Sequence, residues 1–172
     1  MTTWMVDDGP FGDLALTFDP AWTWPAATLH VVETLARSAA KDRSLRRGTL
    51  LAMKDAKGNG CIVTHSIAVD SVAAKMVYGH LRKNSSTSDG DLGEHEAIAY
   101  CACEDKTSVF VAADKLACFA ALSELGRDRV ATPFDLWWDL KERRLITEKV
   151  FESLMQRSVK TSGLHGRPLR FP

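Results

Sequence analysis

The sequence has no net charge, little cysteine and no long apolar run. Its 172 residues carry 22 basic and 22 acidic side chains, so the formal charge is +0 and no overall field attracts nucleic acid. A nucleic-acid function would need local basic patches, a partner or a metal ion. No apolar run approaches the roughly 18 residues of a membrane span, and no basic-plus-apolar signal opens the sequence. We therefore expect a cytoplasmic protein with no membrane partner.

The cysteines have no C-x-x-C spacing and lie inside apolar segments. They are Cys61, Cys101, Cys103 and Cys118. This pattern favours buried free thiols in a reducing compartment over a zinc site or disulfides. No Gly-rich loop follows a predicted strand and no G-x-S-x-G motif is present, which disfavours a nucleotide-binding domain and a Ser/His/Asp hydrolase.

What is present is typical of one globular domain. The chain is 45% hydrophobic and 26% charged, with no internal repeat and no break in composition. A chain of this length buries roughly 70% of its unfolded surface, so a core can form without disulfides or metal. Short apolar segments of strand length alternate with helical patterns. This alternation predicts an α/β fold with a central, mostly parallel sheet flanked by helices.

Acidic residues follow two of the predicted strands. "WMV" ends at Asp7 and "VFVAA" ends at Asp114, each at the turn into a helix. Because the carboxyl ends of parallel strands meet at one edge of a sheet, we expect both side chains in the same crevice. Either residue could instead be a turn residue or a helix N-cap. Asp8 is expected to be a solvated turn residue that points away from Asp7.

A helix that begins near Leu92 supplies a third acid. The apolar side of this helix consists of Ala97, Ile98, Cys101 and Ala102. Glu94 lies three residues before the first of these positions, so it extends the same side by one turn. Glu96 is turned away and suits a solvated acid that complements the helix dipole. Glu94 is therefore the preferred candidate and Glu96 the second choice.

Glu33 is another second-tier candidate. It lies in residues 26–42, where the spacing of apolar residues predicts one continuous helix. The periodic positions are Leu29, Val32, Leu35, Ala36 and Ala39. An ion pair with Arg37, four residues further on, explains Glu33 equally well.

Several carboxylates in one crevice raise one another's pKa unless a counter-charge is present. A hard divalent cation is the usual counter-charge, and oxygen ligands select Mg²⁺ or Mn²⁺. Such an ion can activate water and stabilise charge on a phosphate. The residues alone therefore predict an acidic metal site in an α/β protein. The basic pair Arg46 and Arg47 is expected on a solvated helix face, with phosphate contact as the alternative.

Four segments, in order, resemble the PIN-domain family. "MVDDGPFGDLAL" resembles its first strand and turn, and "LGEHEAIAYCA" is similar to the Gly-Glu-x-Glu-Ala-Ile-Ala helix of one branch. "VFVAADKLACFAALSELG" resembles the strand, acidic residue and helix that follow, and "ATPFDLWWDLKERRLIT" the closing strand and helix. The resemblance covers residues 1–155 and is strongest over 92–147. Residues 156–172 are expected to form an extended or mobile tail.

The resemblance implies a Rossmann-like α/β/α sandwich that binds Mg²⁺ or Mn²⁺ and hydrolyses RNA phosphodiester bonds. Asp7, Glu94 and Asp114 match the catalytic and metal-binding acids of the family, with Glu96 and Glu33 as looser matches. Many bacterial members are VapC-type toxins held by a cognate antitoxin, and homodimers are common. Ala113 precedes Asp114 where many members carry a second aspartate or a polar residue.

Two classes of function follow from this resemblance. One is a metal-dependent endoribonuclease, in which the carboxylates of Asp7, Glu94 and Asp114 come within reach of one metal ion. The other is a catalytically inactive PIN-like module that binds RNA or a protein partner. The inactive module predicts that Glu94 or Glu33 points away from Asp7 and that no cleavage occurs with Mg²⁺ or Mn²⁺.

Overall fold

A parallel sheet forms the centre of the computed structural model, which describes residues 2–17, 29–41, 46–54, 57–82, 91–161 and 169. The strands are β1 (Trp4–Val6), β2 (Leu29–Val32), β3 (Ile62–His65), β4 (Val109–Val111) and β5 (Val130–Ala131). Their order is β3-β2-β1-β4-β5, and every neighbouring pair is parallel. The predicted α/β class with a central parallel sheet is confirmed.

Helices connect the strands and cover the sheet. They are α1 (Asp8–Thr17), α2 (Glu33–Ala40), α3 (Arg46–Leu51), α4 (Val72–Met76), α5 (Leu92–Cys103), α6 (Lys115–Leu125), α7 (Pro133–Glu142) and α8 (Glu148–Thr161). A π-helical turn, Val77–Leu81, continues α4, and a 3₁₀ turn, Arg127–Arg129, precedes β5. Helix α1 contacts α3 and α8, and α5 contacts α4 and α6. With right-handed crossovers, these two groups lie on opposite faces of the sheet, as in a Rossmann-like α/β/α sandwich.

The middle of the sheet is fully apolar. Trp4, Met5 and Val6 in β1 are each at most 1% exposed, and Val109, Phe110 and Val111 in β4 are also buried. Strands covered on both faces are expected to read as continuous apolar runs. The sheet therefore forms the main core. Within the residues described, no helix is long and apolar enough to cross a membrane.

The direction of the strand order reverses between β1 and β4. Strands β2 and β3 lie on one side of β1, and β4 and β5 lie on the other. In parallel α/β sheets, such a reversal opens a crevice at the carboxyl ends of the two central strands. Asp7 directly follows β1, and its backbone N–H donates to the carbonyl oxygen of Val111 at 3.1 Å. The fold thus places the first predicted acid at this crevice.

The single helix predicted over residues 26–42 is wrong. Leu29–Val32 is strand β2, and helix α2 begins only at Glu33. Leu29, Val31 and Val32 are buried at 0–1% exposure, as interior strand positions should be. Because strand and helix follow one another without a turn, their apolar residues together imitate a helical period. As a consequence, Glu33 lies at the carboxyl end of a strand.

The C-terminal region contains more helix than expected. Helix α8 continues through Thr161, and its residues Leu154 and Ser158 are buried. The expected extended tail is therefore wrong for residues 156–161, where buried contacts keep the helix in place. Residues 162–168 and 170–172 lie outside the described part of the chain. The backbone N–H of Leu169 donates to the buried Asp135 carboxylate at 3.1 Å.

Buried free thiols, expected from the sequence, are confirmed for Cys61, Cys101 and Cys118, while Cys103 is partly exposed. Burial raises the pKa of both Cys101 and Cys118 to about 12. The thiol of Cys118 lies 3.5 Å from the carbonyl oxygen of Ala112, the residue that directly follows β4. These thiols stay protonated at neutral pH, so they act as core side chains.

Candidate functional site

A cleft of about 360 Å³ opens at the carboxyl edge of the sheet. Its lining residues are Asp7, Asp8, Thr34, Leu35, Ser38, Asp91, Gly93 and Glu94. These residues come from the end of β1, the start of α1, the first two turns of α2, and the start of α5 with the residue before it. The sheet therefore brings together three helix N-termini, whose unpaired N–H groups and dipoles favour negative charge.

Asp7 forms the floor of the cleft. It is partly buried beside the end of β4. The pKa of Asp7 is raised to about 6, chiefly by burial; a backbone hydrogen bond from Asp8 lowers it, and the charges of Asp8, Asp114 and Asp91 also raise it. A carboxyl group that is both desolvated and surrounded by other acids gains most from a nearby cation.

Glu94 faces Asp7 from the first turn of α5. The next residues on its side of the helix, Ala97, Ile98 and Cys101, are all buried at 0–1% exposure. Ala102, predicted on the same side, is partly exposed, and Ala99, predicted on the side of Glu96, is fully buried, so the predicted division of the helix is observed only in part. Burial raises the pKa of Glu94 to about 8, with Asp7, Asp91 and Asp114 as further causes.

Asp114 lies at the end of β4 but has a second task. Its Oδ1 accepts hydrogen bonds from the backbone N–H groups of Leu116 at 2.7 Å and Ala117 at 3.2 Å, so it caps helix α6. The N-cap alternative is thus observed. The side chain is exposed and does not line the cleft, although its charge contributes to the raised pKa values of Asp7 and Glu94.

The second-tier acids do not line the cleft. Glu33 pairs with Arg37 through Oε1, at 3.0 Å from Nε and 2.6 Å from Nη2. The ion-pair alternative for Glu33 is therefore observed, and its side chain is 41% exposed. Glu96 on α5 is partly exposed, as Glu94 is, but it does not line the cleft.

Two further acids line the cleft that the sequence did not single out. Asp91 precedes α5, and its charge is among the causes that raise the pKa values of Asp7 and Glu94. Its only signal in the sequence was its position three residues before Glu94. Asp8, which we expected to be a solvated turn residue, lines the cleft and forms an ion pair with Arg47. The expected exposure is confirmed, but the expected turn is wrong, because Asp8 is the first residue of α1.

The carboxylates share a cleft without closing around one point. Among the described residues, no group of three or more His, Cys, Asp or Glu side chains is placed to hold a metal ion. The donor set still fits a hard divalent cation, since it consists of carboxylate oxygens whose raised pKa values report burial and mutual repulsion.

Comparison with known proteins adds no information about the cleft. The chain matches no protein-family model, no curated protein and no solved structure. The geometry of the cleft and the chemistry of its side chains are therefore the observations on which a function rests.

Proposed function

We propose that the chain is a divalent-metal-dependent endoribonuclease of PIN type, which hydrolyses RNA phosphodiester bonds. One observation carries the proposal: Asp7 and Glu94, far apart in the sequence, share a cleft at the strand reversal with strongly raised pKa values. Groups perturbed by burial and by specific charges in a cleft are candidates for function.

Asp7 and Glu94 would hold the cation, with Asp91 beside them and Asp114 at the end of the neighbouring strand. A bound Mg²⁺ or Mn²⁺ supplies an activated water and neutralises charge on the phosphate. Asp7 contributes a carboxylate fixed by β1 and β4, and Glu94 contributes one on the more adjustable first turn of a helix. Because their pKa values are raised, Asp7 and Glu94 lose their protons more readily when a metal cation binds in their place than when no cation is present.

The expected partners depend on this assignment. A PIN-type nuclease would act on RNA in the cytoplasm, and as a VapC-type toxin it would be held by a cognate antitoxin. The resemblance also implies a homodimer. These partners belong to the proposal and are tested by purification of the chain with its neighbouring gene product and by light scattering.

Cleavage of a fluorescent single-stranded RNA by the purified chain tests the proposal. We expect Mg²⁺- or Mn²⁺-dependent cleavage that EDTA abolishes. Asp7→Asn and Glu94→Gln should each lower the rate by at least about 100-fold, as loss of a metal ligand does. Glu152→Gln is the matched control, because it removes one exposed carboxylate on α8 away from the cleft. Undiminished cleavage by Asp7→Asn would refute the assignment.

The alternative is an inactive module that binds RNA or a protein. Three observations favour it: Asp114 is engaged as a helix cap, Glu33 is paired with Arg37, and no group of three acids among the described residues is placed to hold a metal ion. The position of Glu94, which shares the cleft with Asp7, supports the nuclease instead. RNA binding by the wild type without cleavage in either metal would select the binding module.

A further inference from the structure

Arg47 is held at the edge of the acidic cleft. Its Nη1 lies 2.5 Å from Oδ1 of Asp8, and its Nη2 lies 3.2 Å from Oδ2. This two-pronged contact aligns the plane of the guanidinium with the carboxylate. The Arg47 side chain is only 24% exposed, so the expected solvated helix face is wrong for this residue.

The sequence of α1 leaves space for this guanidinium. Gly12 is buried in the middle of the helix, and a methyl group at this position would lie 2.5 Å from Nη2 of Arg47. Glycine inside a helix costs about 0.5–1 kcal/mol relative to alanine. Glycine at this position is explained by the space that the Arg47 guanidinium occupies beside it.

The neighbouring Arg46 has a different position. Its Nη1 donates to the carbonyl oxygen of Leu16 at 2.9 Å, near the C-terminal end of α1, and its side chain is exposed. Arg47 contacts the first residue of the same helix, which lines the cleft. The two arginines thus provide a matched pair, with one beside the cleft and one away from it.

The acidic lining of the cleft calls for a positively charged side chain that contacts the substrate. Its described lining includes Asp7, Asp8, Asp91 and Glu94 and no basic residue. A polyanion such as RNA is repelled by this lining unless positive charge lies beside it. A guanidinium recognises a carboxylate and a phosphate in the same two-pronged geometry. Asp8 is 56% exposed, and an ion pair with an exposed acid is weak enough to exchange.

We propose that Arg47 is the phosphate-binding residue of the cleft, and that the Asp8 carboxylate occupies its guanidinium until a phosphate of the RNA substrate replaces it. This inference rests on the proposed function, because it takes RNA as the ligand of the acidic cleft. It adds the contact that positions the sugar-phosphate backbone. Asp8 then acts as a placeholder that keeps Arg47 aligned in the absence of RNA.

Binding of a labelled single-stranded RNA, measured by fluorescence anisotropy, tests the proposal. The measurement is made in Ca²⁺ at low temperature, and a gel confirms that the RNA stays intact. Arg47→Gln should weaken binding about tenfold, as loss of a charged hydrogen bond does. The slope of log affinity against log salt should fall by about 0.7, the value for one phosphate contact on a single strand. Arg47→Lys should recover part of the affinity, and Arg46→Gln should leave it little changed.

Gly12→Ala separates phosphate binding from a merely structural role of Arg47. The added methyl displaces the far end of the flexible Arg47 side chain while every charge remains, and alanine favours the helix. We expect weaker RNA binding without a lower melting temperature. Asp8→Asn should act in the opposite direction and strengthen binding, because it releases the guanidinium and removes a repelling charge.

Each outcome separates the two proposals. If the wild type binds RNA and does not cleave it in Mg²⁺ or Mn²⁺, the nuclease proposal is refuted. Weaker RNA binding by Arg47→Gln would still support the phosphate contact. If the wild type cleaves RNA while Arg47→Gln and Gly12→Ala bind it normally, the phosphate contact is overturned and the nuclease stands. If the wild type neither binds nor cleaves RNA, both proposals are refuted.

Discussion

Replacing Glu94 with glutamine should stabilise the metal-free protein, and the gain should depend on pH. The folded state raises the pKa of Glu94 from 4.5 to about 8, chiefly through burial. A raised carboxyl pKa means that the folded state binds the proton more tightly than the unfolded state. Ionising Glu94 therefore costs the folded state free energy. This cost is absent below about pH 4.5, grows as the pH rises towards 8 and is constant above that value.

The size of this effect follows from the same shift in pKa. At pH 7 the full linkage energy would be about 3 kcal/mol, since each pKa unit corresponds to about 1.4 kcal/mol. Because Glu94 is partly exposed at the cleft, water and salt screen it, and we expect about 1–2 kcal/mol. For a chain of this length, that gain raises the melting temperature by roughly 2–8 °C.

Thermal and urea unfolding in EDTA at pH 4 and pH 7.5 measure the gain. Glu96→Gln is the control, since it removes a carboxylate from the same helix outside the cleft, and its effect should stay within about 0.5 kcal/mol. A Glu94→Gln variant that gains no stability between the two pH values would refute the reasoning. It would show that Glu94 is solvated rather than held over the buried side of α5.

Two further predictions concern the same edge of the sheet. In a thermal-shift assay, Mn²⁺ should stabilise the wild type little at pH 5.5 and more at pH 8. Asp7 and Glu94, with pKa values raised to about 6 and about 8, must lose their protons before they can bind a cation. Equal stabilisation at both pH values would contradict this. Asp135→Ala should cost about 2–4 kcal/mol in urea unfolding, since the buried carboxylate accepts hydrogen bonds from Thr132 and Leu169. Asp135→Asn should cost less, because it keeps one acceptor oxygen.

The parts of the fold that follow from short-range patterns could be predicted. Strands β1 and β4 are short, fully buried apolar runs, and both were predicted from the segments that end at Asp7 and Asp114. Strand β2 was missed because it passes into α2 without a turn. Local periodicity cannot separate two adjoining elements whose apolar residues share one spacing.

The candidate site was predictable where one residue type at one position sufficed. Asp7 at a strand end and Glu94 above an apolar helix side carry their positions in the sequence. The positions of Asp8 and Arg47 could not be predicted in this way, because their ion pair joins α1 to α3 and no local sequence pattern indicates that contact. Asp91 precedes its helix in a polar segment, where an acid is unremarkable until the sheet places it beside Asp7.

The position of β1 between β2 and β4 has a consequence for synthesis of the chain. Residues 4–6 leave the ribosome early, yet their partner Val109–Val111 follows only after two thirds of the chain has been made. Asp7 is fixed through Val111, so the cleft cannot be completed on a nascent chain before β4 emerges. The proposed nuclease would therefore be unable to cut the messenger and ribosome that produce it until most of the polypeptide is finished.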